Sequence, residues 1–118
     1  MTSPIPLCSA TAVPPGHSRG LVAETADGPL ALLVVNHDGR FHAYANRCPH
    51  TGVNLEWRPD VFLDAAGEHI QCAVHGALFR LDDGYCVWGP CVGRSLRALP
   101  VAARDGTLWL EDVTGRED

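Results

Sequence analysis

The sequence predicts an all-β fold, on two observations. Short apolar or alternating runs recur between Asp-Gly and Gly-Pro turn signals, and no stretch sustains the 3.6-residue apolar period of a helix. Size and composition agree: 118 residues, 46% hydrophobic and 19% charged, describe one globular domain with a modest core. The formal net charge of −5 argues against a nucleic-acid partner, because phosphates require a basic face, and favours a partner that presents one. No apolar run approaches the length of a membrane span, and Met1-Thr2-Ser3-Pro4 lacks the basic start and apolar core of a secretory signal. The expectation is a cytoplasmic protein with no membrane partner. Five cysteines, an odd number, suit a reducing compartment better than a disulfide framework.

In chain order, Pro4, Pro6, Pro14 and Pro15 with Gly16 and Gly20 predict an irregular first segment lying extended on the surface. Strands over 18–25 and 30–36 are joined at Asp27-Gly28-Pro29, and a second turn, 37–40, leads to a strand over 41–45. Short strands are expected at 54–57, at 61–63 and 68–72 about the turn 64–67, and at 78–81 and 85–88 about Asp82-Asp83-Gly84. A last hairpin pairs 96–102 with 107–111 across Arg104-Asp105-Gly106, and 112–118 is a polar tail.

The chemistry is concentrated in two stretches, Cys48-Pro49-His50-Thr51-Gly52 and Cys72-Ala73-Val74-His75-Gly76. Each sets a thiolate two or three residues before an imidazole, within the reach of one loop, so together they offer a Cys2His2 donor set. Gly52 and Gly76 allow sharp turns and close approach of backbone N-H groups to sulfur. Two metals accept this set. A structural zinc usually draws both cysteines from one loop and both histidines from a helix. One cysteine and one histidine per loop suit a [2Fe-2S] centre with two thiolates on one iron and two imidazoles on the other.

The pattern C-x-H followed by C-x-x-H resembles the Rieske [2Fe-2S] ferredoxin family, the small proteins related to ring-hydroxylating oxygenase ferredoxins and nitrite reductase small subunits. The segment His75-Gly76-Ala77-Leu78-Phe79 is similar to that family too, as is Gly89-Pro90, which resembles its cluster-shielding proline loop. The resemblance implies a three-sheet antiparallel β-sandwich in a single domain over 1–118: a base of 1–45 and 92–118, and a small cluster-binding subdomain over 46–91. It implies one Rieske-type cluster, with Cys48 and Cys72 on one iron and His50 and His75 on the exposed other. Gly52, Gly76, Ala77, Phe79, Gly89 and Pro90 would surround it. The respiratory branch of the family braces its ligand loops with a disulfide, where this chain has Val53 and Val74. That branch also places serine and tyrosine hydroxyls where Ala77 and Phe79 stand, which predicts a potential near the low Rieske limit of about −150 mV.

The function implied is a soluble carrier of single electrons, without activity of its own, from a flavin or nicotinamide-linked reductase to a terminal oxygenase or reductase. The alternatives are a small subunit of nitrite reductase type and, more remotely, a structural zinc module. The remaining features have plainer readings. His17, His37, His42 and His69 read as solvated or packed, Trp57, Trp88 and Trp109 as core or rim packing, and Asp82-Asp83 and the acids within 56–64 as solvated surface or an acidic docking face. Cys86 and Cys91 flank Gly89-Pro90; in the cytosol two reduced, packed thiols are favoured over a disulfide.

Overall fold

The computed structural model describes residues 4–26, 28–47, 49, 55, 60–64, 66–72 and 76–111. Among them, ten strands run in chain order: β1 (Ile5–Ser9), β2 (Ser18–Thr25), β3 (Gly28–His37), β4 (Arg40–Ala45), β5 (His69–Gln71), β6 (Leu78–Arg80), β7 (Cys86–Trp88), β8 (Ala98–Leu99), β9 (Val101–Arg104) and β10 (Thr107–Leu110). They form three antiparallel sheets, ordered β1-β10-β9, β2-β3-β4-β8 and β5-β6-β7. The single helical element among the described residues is a 3-10 turn, Ala10–Ala12. The three-sheet, all-β expectation holds.

The run Leu30-Ala31-Leu32-Leu33-Val34-Val35 explains how the sheets are layered. Residues alternate between faces of a strand, yet Leu32, Leu33, Val34 and Val35 are all fully buried, so β3 is covered on both sides. Leu33 and Val35 join Tyr44 in a core shared with Ile70, Phe79 and Cys86 of the β5-β6-β7 side. Leu32 and Val34 face the opposite way, into a core with Leu99, Leu108 and Leu110. The four-stranded sheet is therefore the middle layer, and one of its faces supports the loops that leave β5, β6 and β7.

Two hairpins have the tight, twisted turns that their sequences imply. His37 pairs with Arg40 around Asp38 (φ 53°) and Gly39 (φ 87°), and Arg104 pairs with Thr107 around Asp105 (φ 54°) and Gly106 (φ 79°). Both central residues are left-handed, which matches the twist of the flanking strands and which Asp-Gly supplies at little cost.

Three expectations are corrected. The first segment is not irregular throughout: β1 pairs with β10, and Pro6 is accommodated because β1 is an edge strand bulged between Pro6 and Cys8. The first turn lies earlier than expected, since Thr25 pairs with Gly28. Pro29 then stands in β3 beyond the end of the β4 ladder, which begins at Leu32, and Asp27 is outside the described residues. The run 96–102 is not one strand. Pro100 cannot donate to a ladder, and it separates β8, which pairs with β4, from β9, which pairs with β10. The strand expected at 54–57 and the tail at 112–118 lie outside the described residues, apart from buried Leu55.

Candidate metal centre

The second ligand stretch is a loop closed by its own backbone. Gln71 of β5 pairs with Leu78 of β6, the amide of Cys72 donates to the carbonyl of Ala77 (2.9 Å), and the amide of Gly76 donates to the carbonyl of Cys72 (2.9 Å). Gly76 makes the closure possible with φ 70°. Cys72 is thereby held at the loop base, fully buried beside a core containing Ala77, Phe79, Cys86 and Cys91. His75 lies outside the described residues.

The first ligand stretch is bracketed by Asn46, one of two buried polar residues among the described residues. Its side-chain Oδ1 accepts the amide of Leu55 (2.8 Å), and its own amide donates to the carbonyl of Ala31 in β3 (3.0 Å). The two ends of the segment 46–55 are therefore tied to each other and to the central sheet. Cys48, His50 and Gly52 lie outside the described residues; Pro49, between the two expected ligands, is described.

A third loop, leaving β7 through Gly89 and Pro90, touches both. A Cβ on Gly89 would stand 2.8 Å from Ala77 Cα, and its φ is 104°, so the chain passes directly against the second ligand loop. Farther along, Arg94 Nη1 donates to the carbonyl of Pro49 (3.0 Å) in the first. The loop is shaped by the amide of Val92 donating to the Gly89 carbonyl and that of Arg94 to the Cys91 carbonyl. Pro90 itself is exposed.

Of the expected site residues, Cys72, Gly76, Ala77 and Phe79 are thus brought together by one loop, and Gly89 is packed onto Ala77. Among the described residues no group of three or more metal-ligating side chains occurs; Cys72 is the one expected ligand among them. A buried thiol at the base of a glycine-turned loop, with the loop from Gly89 packed against that loop, fits a site for a thiolate bonded to metal, since the metal replaces the hydration that burial removes. Ala77 and Phe79 are both fully buried and carry no hydroxyl, so neither side chain can donate a hydrogen bond to sulfur.

Sequence reasoning passed over Asn46 and Arg94. The signal for Asn46 was faint: a polar residue ending an apolar strand just before a loop. Arg94 left no signal, because a contact 45 residues away in sequence exists only in the fold.

Several charged side chains have structural partners. Asp83 is paired with Arg80 (2.6 Å), whose guanidinium also lies over the Tyr85 ring (4.9 Å). Asp60 Oδ1 accepts the Gly20 amide (2.8 Å), and Asp64 Oδ1 accepts the amides of Glu68 and His69. His69 Nδ1 lies 3.4 Å from Asp64, in keeping with a packed histidine, and burial lowers the His42 pKa. Trp88 is rim rather than core: it is 60% exposed, with its ring edge 3.7 Å from where a Gly76 Cβ would stand. Trp109 lies under Arg104 (5.6 Å). Cys86 and Cys91 are buried thiols, not a disulfide, and Cys86 Sγ donates to the Trp88 carbonyl (3.3 Å).

The family model of the Rieske [2Fe-2S] domain matches residues 3–103, most of the chain and all three loops. The chain belongs to the Rieske [2Fe-2S] domain family. The cofactor of this Rieske domain is accordingly one [2Fe-2S] cluster of Rieske type. A comparison with curated proteins gives no match. Among solved structures, the Rieske chain is similar to the ferredoxin of carbazole 1,9a-dioxygenase from Nocardioides aromaticivorans IC177, with 20% identity, TM-score 0.74, and coverage of 92% of this chain and 97% of that one. It is also similar to a Sphingomonas yanoikuyae B1 ferredoxin, with 24% identity, TM-score 0.70, and coverage of 94% and 100%. The terminal oxygenase of carbazole 1,9a-dioxygenase from Novosphingobium sp. KA1 matches at 25% identity and TM-score 0.70, over 92% of this chain and 29% of that one. No helix among the described residues is long and apolar enough to cross a membrane.

Proposed function

We propose that this Rieske protein is a ferredoxin: a cytoplasmic carrier that takes single electrons from a flavin or nicotinamide-linked reductase and delivers them to a terminal oxygenase or reductase. Cys48 and Cys72 bind one iron, His50 and His75 bind the other, and residues 46–91 act as the cluster-binding subdomain. When bound, the cluster supplies a centre that gains and loses one electron. The protein does the rest. Asn46 holds the base of one ligand loop, the Cys72–Ala77 backbone bond closes the other, and the loop from Gly89 packs against the second to exclude water. The observation that carries the reading is the packing of Gly89 onto the loop that holds fully buried Cys72, together with the bond from Arg94, farther along from Gly89, to Pro49 of the other loop. The similarity to dioxygenase ferredoxins, one of them in a structure described as a complex of reduced oxygenase and oxidized ferredoxin, supports the choice of partner.

The test begins with anaerobically purified protein, which should be red-brown, hold one cluster per chain, and give a low average g value in its reduced paramagnetic resonance spectrum. Stoichiometric zinc with no visible absorbance would refute the cluster. Cys72→Ser should abolish assembly, because a neutral hydroxyl does not offset ferric charge as a thiolate does. Electron delivery to an added oxygenase should slow as salt screens docking over about 10 Å at 0.1 M. Transfer confined to a permanent, salt-resistant complex would make the protein a subunit instead.

A further inference from the structure

The disulfide that ties the two ligand loops in the respiratory branch is not possible here, because Val53 and Val74 stand at its positions. Yet a chain of contacts joins them. From the second loop it runs through Ala77 to Gly89, whose backbone lies too close to admit a side chain. It continues along 89–94, a segment tied by the Arg94 amide to the Cys91 carbonyl and by the Cys86 amide to the Arg94 carbonyl (2.9 Å), so that the Arg94 backbone is anchored on both sides. It ends at Arg94 Nη1, which donates to the Pro49 carbonyl between Cys48 and His50.

We propose that Arg94 is a positioning residue for the cluster, a non-covalent brace that locks the first ligand loop against the other two and sets a fixed positive charge beside the site. This rests on the Rieske reading above. Arginine is suited to the task. Its planar guanidinium is always charged and loses little freedom per bond formed, and a bond from a charged donor to a carbonyl is stronger than a neutral one. Arg94 is also exposed, so the brace works at the rim and its charge is partly screened by solvent. Two consequences follow. Pulling Pro49 toward the 89–94 loop limits the excursions by which a ligand loop opens and loses iron. A cation near the site stabilises the reduced, more negative centre and so raises the potential.

The experiment compares cluster-loaded wild type, Arg94→Gln and Arg94→Lys by three readings: the first-order rate of bleaching under a chelator, the midpoint potential at low and high salt, and the spectrum of the reduced form. The glutamine variant should bleach several-fold faster, with a lower potential whose difference from wild type shrinks at high salt. The lysine variant keeps the charge and can reach the carbonyl with one donor, so it should keep most of the potential and bleach at an intermediate rate. Equal bleaching rates and equal potentials in all three would overturn the proposal while leaving the Rieske reading intact. A wild type that holds no cluster would overturn that reading itself. Should the glutamine variant fail to fold, the lysine variant decides alone: a bleaching rate equal to wild type counts against a brace built on the guanidinium.

Discussion

Replacing Gly89 by alanine would place a methyl group 2.8 Å from Ala77 Cα and 3.1 Å from Ala77 Cβ, at a backbone φ of 104°. The first contact is with main chain, which cannot rotate out of the way as a side chain can. Two costs therefore add: about 1–3 kcal/mol for a non-glycine residue in a sparsely populated backbone region, and about 1–3 kcal/mol for overpacking. The expected loss is about 2–6 kcal/mol, a large part of the total stability of about 5–15 kcal/mol typical of a domain. Gly93 supplies the control. It has φ 97°, nearly the same backbone strain, but nothing within 4 Å of its added Cβ, so Gly93→Ala should cost only the first part. Denaturant unfolding of the apo forms, read as a change in midpoint at constant slope, measures both. In the loaded forms the clash should also speed cluster bleaching for Gly89→Ala more than for Gly93→Ala, because only the former pushes the third loop off the second ligand loop. Equal destabilisation by the two substitutions would refute the close-packing argument.

Other outcomes follow from the same geometry. Tyr44→Phe removes the hydroxyl that donates to the Leu81 carbonyl (2.8 Å) in the buried core and should cost about 1–3 kcal/mol in denaturant unfolding, since the carbonyl loses its partner. Burial first, then Asp83 and Asp82, hold the Tyr44 pKa above its ordinary 10.0. The folded state thus keeps a proton that the unfolded state loses, so stability should be intact below pH 10.0 and fall as pH rises above it, less steeply in Tyr44→Phe; parallel profiles would disprove this. The midpoint potential should lie near the low end of the Rieske range, about −150 rather than about +300 mV, and Ala77→Ser should raise it in protein-film voltammetry if the new hydroxyl donates to sulfur. A wild-type value well above zero would mean that other donors compensate for Ala77 and Phe79.

The strands and their turns were legible in the sequence because they depend on local chemistry. Asp38-Gly39 and Asp105-Gly106 are among the few dipeptides that take left-handed conformations cheaply at both turn positions, and alternation in the flanking runs marks the strands. The donor set was legible for the same reason, since a loop's ligands must be near in sequence. What the tertiary structure decided lies across long separations. Pro6 reads as a breaker until β1 is seen to be an edge, and 96–102 reads as one strand until β8 and β9, on either side of Pro100, are seen to belong to different sheets. The buried face chosen by each residue of 32–35 depends on two cores that no local pattern defines. The same holds for Asn46 reaching Leu55, Gly89 resting on Ala77, and Arg94 bonding to Pro49. A sequence specifies which atoms can donate, accept or turn. Which of them meet depends on how three sheets pack, because hydrogen bonds and van der Waals contact act only over a few ångströms of space, whatever the distance along the chain.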